Sequence, residues 1–156
     1  MSYERTIPFN GNAGKAFEVA RNTLLPHGFT IVEIADDYME LTSPNTLMTK
    51  GQDPIYGISK VSISAENNEL SIEAEFGGVR KSIKYLIIFI IGMAASFLVF
   101  FAAVFQNNKN YSPYLLLMVF APWPVLIPVM SRAMKSRASK SLDALLNNMS
   151  IVGKEK

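Results

Sequence analysis

Cysteine is absent from this chain, which removes disulfides, thiolate metal sites and cysteine nucleophiles at once. Histidine is nearly absent. His27 is the only one, and its unremarkable place makes no convincing Ser-His-Asp set, while no second ligand type lies at useful spacing for a metal. It follows Pro26 at the end of a predicted helix, where an imidazole ordinarily satisfies nearby carbonyls. Charge is scarce as well: 18% of the 156 residues, with a formal net charge of +2. That balance, with no basic stripe interleaved with aromatics, argues against a nucleic-acid partner. The opening "MSYERTIPFNGNAGK" has no apolar core of the kind a secretory leader needs.

The apolar residues, 49% of the total, are distributed unevenly. Residues 1–78 read as an α+β domain, an antiparallel sheet with one covering helix. "YERTIPF" is a short strand whose proline marks an edge or an end. Asn12 caps a helix predicted over Ala13–Leu25, with Ala13, Phe17, Ala20 and Leu24 on one apolar face. Pro26 and Gly28 stop it. "FTIVEI" and "YMELTS" flank Asp36 and Asp37 as a hairpin. A second hairpin is clearer. Val61, Ile63 and Ala65 alternate with polar residues, as do Leu70, Ile72, Ala74 and Phe76, and "ENNE" turns between the two strands. One helix covers only part of five strands, so the sheet or the far side of the helix is expected to pack against the membrane-proximal parts, another copy or another protein. Gly77 and Gly78 read as a hinge, followed by a basic hinge segment over 79–84.

Two apolar segments come next. Residues 85–105, "YLIIFIIGMAASFLVFFAAVF", would span roughly 31 Å as a helix, about the hydrocarbon thickness of a bilayer. Residues 106–113, "QNNKNYSP", make an external loop, and 114–131 make a second, proline-kinked transmembrane helix. The expected architecture is therefore the α+β domain, a two-helix transmembrane hairpin and an amphipathic C-terminal helix. Arg80, Lys81 and Lys84 precede the first span; Arg132, Lys135, Arg137 and Lys140 follow the second. Basic residues stay on the inner side, so both termini are expected to be cytoplasmic and the chain integral to an inner or plasma membrane.

Within the first span Gly92, Ala95 and Ser96 are small enough for close helix packing, against the chain's own second span or against a partner. In the second, Pro122, Pro124 and Pro128 each remove a backbone donor, and Pro122 or Pro124 is placed to open a new helical segment. That segment would run into the basic tail of residues 132–156. Met130, Met134, Ala138, Leu142, Leu145 and Met149 form an apolar stripe there. Packing on the protein itself, contact with a partner, and lying on the lipid surface all suit such a stripe. "GKEK" reads as a frayed end.

Candidate chemistry is thin. Asp36 and Asp37 belong to a turn. Glu73 and Glu75 share the wet face of a strand. "GNAG" before the first helix lacks the remainder of a phosphate-binding motif. No catalytic residue, metal ligand or cofactor is expected. Leu47, Met48 and Tyr56 place apolar side chains in a loop, as cover for a sheet edge or as a docking loop. The expected role is non-catalytic: an interaction or assembly subunit in a membrane complex, in contact with lipids and forming a homo-oligomer or binding another membrane-protein subunit. Two alternatives are an oligomeric pore or membrane-perturbing effector, and an accessory subunit that binds a lipid or other apolar ligand.

Overall fold

A computed structural model describes residues 2–43, 55, 57–105 and 120–154. Asn12 accepts from the N–H of Lys15 at 3.1 Å and caps α1 (Ala13–Leu24). The apolar face predicted for that helix is buried at Phe17, Ala20 and Leu24, and Ala16 joins it. A single 3-10 turn over Leu25–His27 follows, and Gly28 at φ +84° closes it in the left-handed region where a side chain would be strained.

Five strands, β1 (Ser2–Pro8), β2 (Thr30–Ile34), β3 (Tyr38–Thr42), β4 (Lys60–Glu66) and β5 (Glu69–Glu75), form one antiparallel sheet in the order β1-β5-β4-β3-β2. β1 is an edge strand ending at Pro8, where the missing donor does no harm. The "ENNE" turn is a tight one, with Asn67 and Asn68 both at positive φ as a primed hairpin turn requires. Register sorts the side chains cleanly. Ile72, Ile63 and Met39 share one row of the buried face, and Ala74, Val61 and Leu41 share the next. The opposite face carries Glu73, Ser62 and Glu40 in one row, and Glu75 and Lys60 in another.

Two helices, not one, cover the buried face. α3 (Trp123–Lys154) packs its C-terminal half on α1 and β5, burying Ala138, Leu142, Leu145, Leu146 and Met149 in the same core as Leu24, Ile63 and Ile72. Met134 is partly buried at the margin of that core, while Met130, the first residue of the predicted stripe, is exposed. The element required to finish the sheet is therefore the chain's own tail. Gly153, expected at a frayed end, is buried and helical.

α2 (Gly77–Phe105) begins directly after β5. Gly77, Gly78 and residues 79–84, read above as a hinge, are its first turns. Their backbone is held in place: the N–H of Gly77 donates to Ser59 Oγ at 3.0 Å, and those of Gly78 and Val79 donate to the Gly57 carbonyl at 3.1 and 3.2 Å. Helix N-termini leave unsatisfied donors, and here the β3–β4 connection accepts them. α2 is long and apolar enough to cross a membrane, with a mean hydropathy of 2.3 within Gly77–Phe100, and little of that apolar stretch is buried. Residues 106–113, expected as an external loop, and the start of the second apolar segment, 114–119, lie outside the described residues. The two apolar segments do meet: the rings of Phe97 and Phe120 pack edge to face at 6.3 Å.

Candidate functional site

Three places gather polar or exposed apolar side chains in a way the fold has to arrange. The first joins the ends of the chain. Tyr3 and Arg5 alternate onto the helix-covered face of β1, and both donate to the Asp143 carboxylate on α3. The phenol first, then the guanidinium, holds the Asp143 carboxyl below its ordinary range. Burial, then the Asp143 carboxylate, pushes the Tyr3 phenol up to about 12. Sequence reading missed this trio because its members are 138 and 140 residues apart. The available signal was Asp143 itself, the one acid in the long basic stretch from Arg132 to Asn148.

The second lies on the open face of the sheet. Tyr38 donates to Glu40 Oε2 at 2.6 Å and Lys60 reaches the same oxygen at 2.9 Å. The Tyr38 bond, then Lys60, lowers the Glu40 carboxyl, and the hydrogen bond to Glu40 raises both Tyr38 and Lys60. Two donors on one oxygen and a lowered pKa make this carboxylate a weaker base than a free one, and tie β3 to β4 across the open face. Ser64 and Ser71 hydroxyls meet at 2.6 Å one row further along.

The third is the β2 edge. Ile31 pairs with Leu41 and Ile34 with Met39, so both isoleucines face the helix-covered side. Leu41 and Met39 are fully buried, whereas Ile31 is 37% and Ile34 58% exposed. A bulge between Ile31 and Glu33 turns Val32 outward, 59% exposed. The two helices thus roof four strands and stop short of the fifth. A groove remains between α1 and β2, lined by Phe17, Glu18, Arg21, Ile34 and Asp36.

The remaining sequence candidates fall elsewhere. His27 is half-buried in the 3-10 turn, and Asp36 and Asp37 occupy the β2–β3 turn, where the Asp37 carbonyl accepts from Ala65 at 2.8 Å. Among the described residues no three acidic or imidazole side chains are grouped to hold a metal. "GNAG" has a packing explanation, because a Cβ on Gly11 would run into the Gly153 backbone. Gly92, Ala95 and Ser96 are exposed on α2, Ser96 Oγ bonds back to the Gly92 carbonyl at 2.9 Å, and nothing among the described residues lies within 4 Å of a Cβ at Gly92. Pro122 precedes α3, and its carbonyl accepts from Val125 at 3.2 Å and Leu126 at 3.0 Å; Pro124 stands in the first turn and Pro128 inside the helix. Arg80, Lys81, Lys84, Arg132, Arg137 and Lys140 are exposed and Lys135 is half-buried. The docking-loop residues Leu47, Met48 and Tyr56 lie outside the described residues. No family model, no curated protein and no solved structure matches this chain.

Proposed function

We propose that the chain is a non-catalytic, two-span integral membrane protein with cytoplasmic termini, whose α+β domain assembles with another membrane subunit or a second copy through the β2 edge. The observation that carries this reading is the incomplete roof. Ile31 and Ile34 stand in core rows beside fully buried neighbours yet remain open, on a strand that pairs on one side only among the described residues. An exposed apolar edge invites strand or helix addition. The membrane hairpin is supported by the Phe97–Phe120 contact and by the basic residues that flank both apolar segments. The C-terminal helix shares one core with the sheet that the first strand joins, so in this reading the hairpin is an insertion within one folded unit. The domain would then be held against the inner leaflet from two attachment points, presenting its edge in a fixed orientation.

The test is the mass and composition of the complex extracted gently from native membrane. Full-length protein should run with a second copy or a co-purifying membrane subunit. Ile31→Lys with Ile34→Lys should release that subunit while the domain remains folded. Wild-type protein that behaves as a lone monomer would sink the reading.

A further inference from the structure

The near-neutral charge of the chain conceals a strong segregation. Residues 1–75 hold eleven of the thirteen acids against five bases, whereas residues 76–156 hold ten bases against two acids. The fold turns that division into two opposed surfaces. Strand register puts Glu4, Glu73, Ser62, Glu40 and Glu33 in one row across all five strands, on the face that no described helix covers. Neighbouring strands lie about 4.8 Å apart, so the row is roughly 19 Å wide. Glu4 faces Glu73 and Glu40 faces Glu33, like charges whose direct opposition destabilises a sheet unless a cation lies over them. Tyr38 and Lys60 answer Glu40. Glu4, Glu73 and Glu33 are exposed, and among the described residues no hydrogen bond or ion pair engages their carboxylates.

The second surface is the outer side of α3. Ala138, Leu142 and Met149 point into the core, which turns Arg137 and Lys140 outward, and both are exposed. Among the described residues neither side chain has a hydrogen-bond or ion-pair partner. Ala133, Ser136 and Ala144 beside them are exposed and small, so a flat surface can approach closely. Residues three apart on a helix stand about 5–6 Å from each other, close to the roughly 5 Å between facing carboxylates on the sheet. Because α3 belongs to the helix layer, its outer cations and the carboxylate row look in opposite directions from one two-layer domain. Two acidic faces repel, as do two basic ones, so neither surface pairs with itself about a two-fold axis. Membrane insertion favours the remaining arrangement. α3 is a single helix from Trp123 in the second apolar segment to Lys154 in the domain, and a helix packed on a sheet runs along its plane. Crossing the bilayer on its apolar half, it stands the sheet upright and aims both charged faces sideways, toward neighbours inserted in the same sense.

We infer that copies of this chain associate front to back in the membrane plane, the Glu4–Glu73 part of one sheet against Arg137 and Lys140 of the next copy. The contact is heterologous, so it propagates into a ring or a row. It rests on the membrane reading above and uses a surface other than the β2 edge. The test uses the full chain in detergent, with mass read by sedimentation. Wild-type assemblies should shrink as salt rises toward about 1 M, where the screening length is about 3 Å. Glu4→Lys with Glu73→Lys should weaken association about tenfold or more, and so should Arg137→Glu with Lys140→Glu. Mixed together, the two variants should regain wild-type assembly in a one-to-one ratio, because each then meets only opposite charge; misfolded chains would not. The same change of net charge placed on α1, Lys15→Glu with Arg21→Glu, should not replace the α3 variant in that mixture. A mixture no better assembled than its components, or rescue by the α1 variant, would overturn the contact. Loss confined to the sheet variant would assign the acidic face to a different basic partner and overturn it equally. The failures are separable: release of the protein by alkaline carbonate removes the membrane reading, whereas a membrane-resident, associating protein whose mixed variants stay apart loses this contact alone.

Discussion

The backbone of Gly11 packs directly on that of Gly153: a Cβ on Gly11 would come within 2.4 Å of the Gly153 carbonyl oxygen, which accepts the Asn12 N–H at 2.8 Å. The cap of the first helix and the last turn of the final helix are thus one joint. A methyl group on Gly11 meets backbone, whereas one on Gly153 meets first the edge of the Phe9 ring at 2.6 Å, a side chain and not backbone. Gly11→Ala should therefore cost about 1–3 kcal/mol, as overpacking usually does, and Gly153→Ala less. Thermal unfolding of the two variants in one detergent checks the order. Equal stability of Gly11→Ala and wild type would mean the joint is open in solution.

The Tyr3–Asp143–Arg5 trio gives the protein a pH signature at both ends of the scale. Asp143 has a lowered folded pKa, so its contribution is present above the unfolded value of about 3.9 and is lost as pH falls through the folded one. Tyr3 has a raised one, so its contribution is present below the unfolded value of about 10 and is lost as pH rises through about 12. Tyrosinate absorbance should show one tyrosine ionising near 12, and Asp143→Asn should bring that step down. Burial, the larger cause, remains in the variant, so the step should stay above the ordinary tyrosine value. Asp143→Asn should also flatten the acid limb of the stability curve.

The prolines ahead of α3 set where the helix begins. The Pro122 carbonyl accepts the N–H groups of Val125 and Leu126 in the first turn, and Pro124 lies early enough that its missing donor goes unfelt. Pro122→Ala with Pro124→Ala should keep membrane insertion, because no polar group is added. It should let the preceding apolar residues join the helix and weaken assembly by redirecting the approach to the domain. Glycosylation mapping reads insertion and gentle extraction reads assembly. Unchanged assembly would make the break incidental.

Gly92 offers a separate test of association within the bilayer. With no described atom within 4 Å of its absent Cβ, Gly92→Leu should leave the fold of the α+β domain unchanged. A close-packed helix contact at Gly92 and Ser96 would not tolerate that side chain, so the share of associated protein in detergent should fall severalfold, to the extent that one lost packing contact allows. Unaltered association would move the contact off this face.

Much of the domain was legible from local pattern. Period-two alternation at Val61–Ala65 and Leu70–Phe76, the asparagine turn between them and the capped helical face from Ala13 to Leu24 are each decided within a dozen residues, where chain geometry leaves few options. The apolar stripe on the tail was legible too, from Met134 to Met149. Its destination was not, because a stripe fits a neighbouring helix, a partner or a lipid surface equally well. α1 and β5 are its actual partners. The hinge read at Gly77 and Gly78 shows the same boundary from the other side. Glycine signals conformational freedom, but here Ser59 and Gly57 supply acceptors that hold both residues in a helical turn.

By itself, then, the sequence determined the strands, the first helix, the apolar run long enough to cross a membrane and the poverty of chemical groups, all of which follow from periodicity and composition over short windows. The tertiary structure alone decided that the C-terminal helix completes the N-terminal sheet and that Asp143 answers Tyr3 and Arg5. Those relationships depend on which distant segments bury the same core, and no local spacing encodes that.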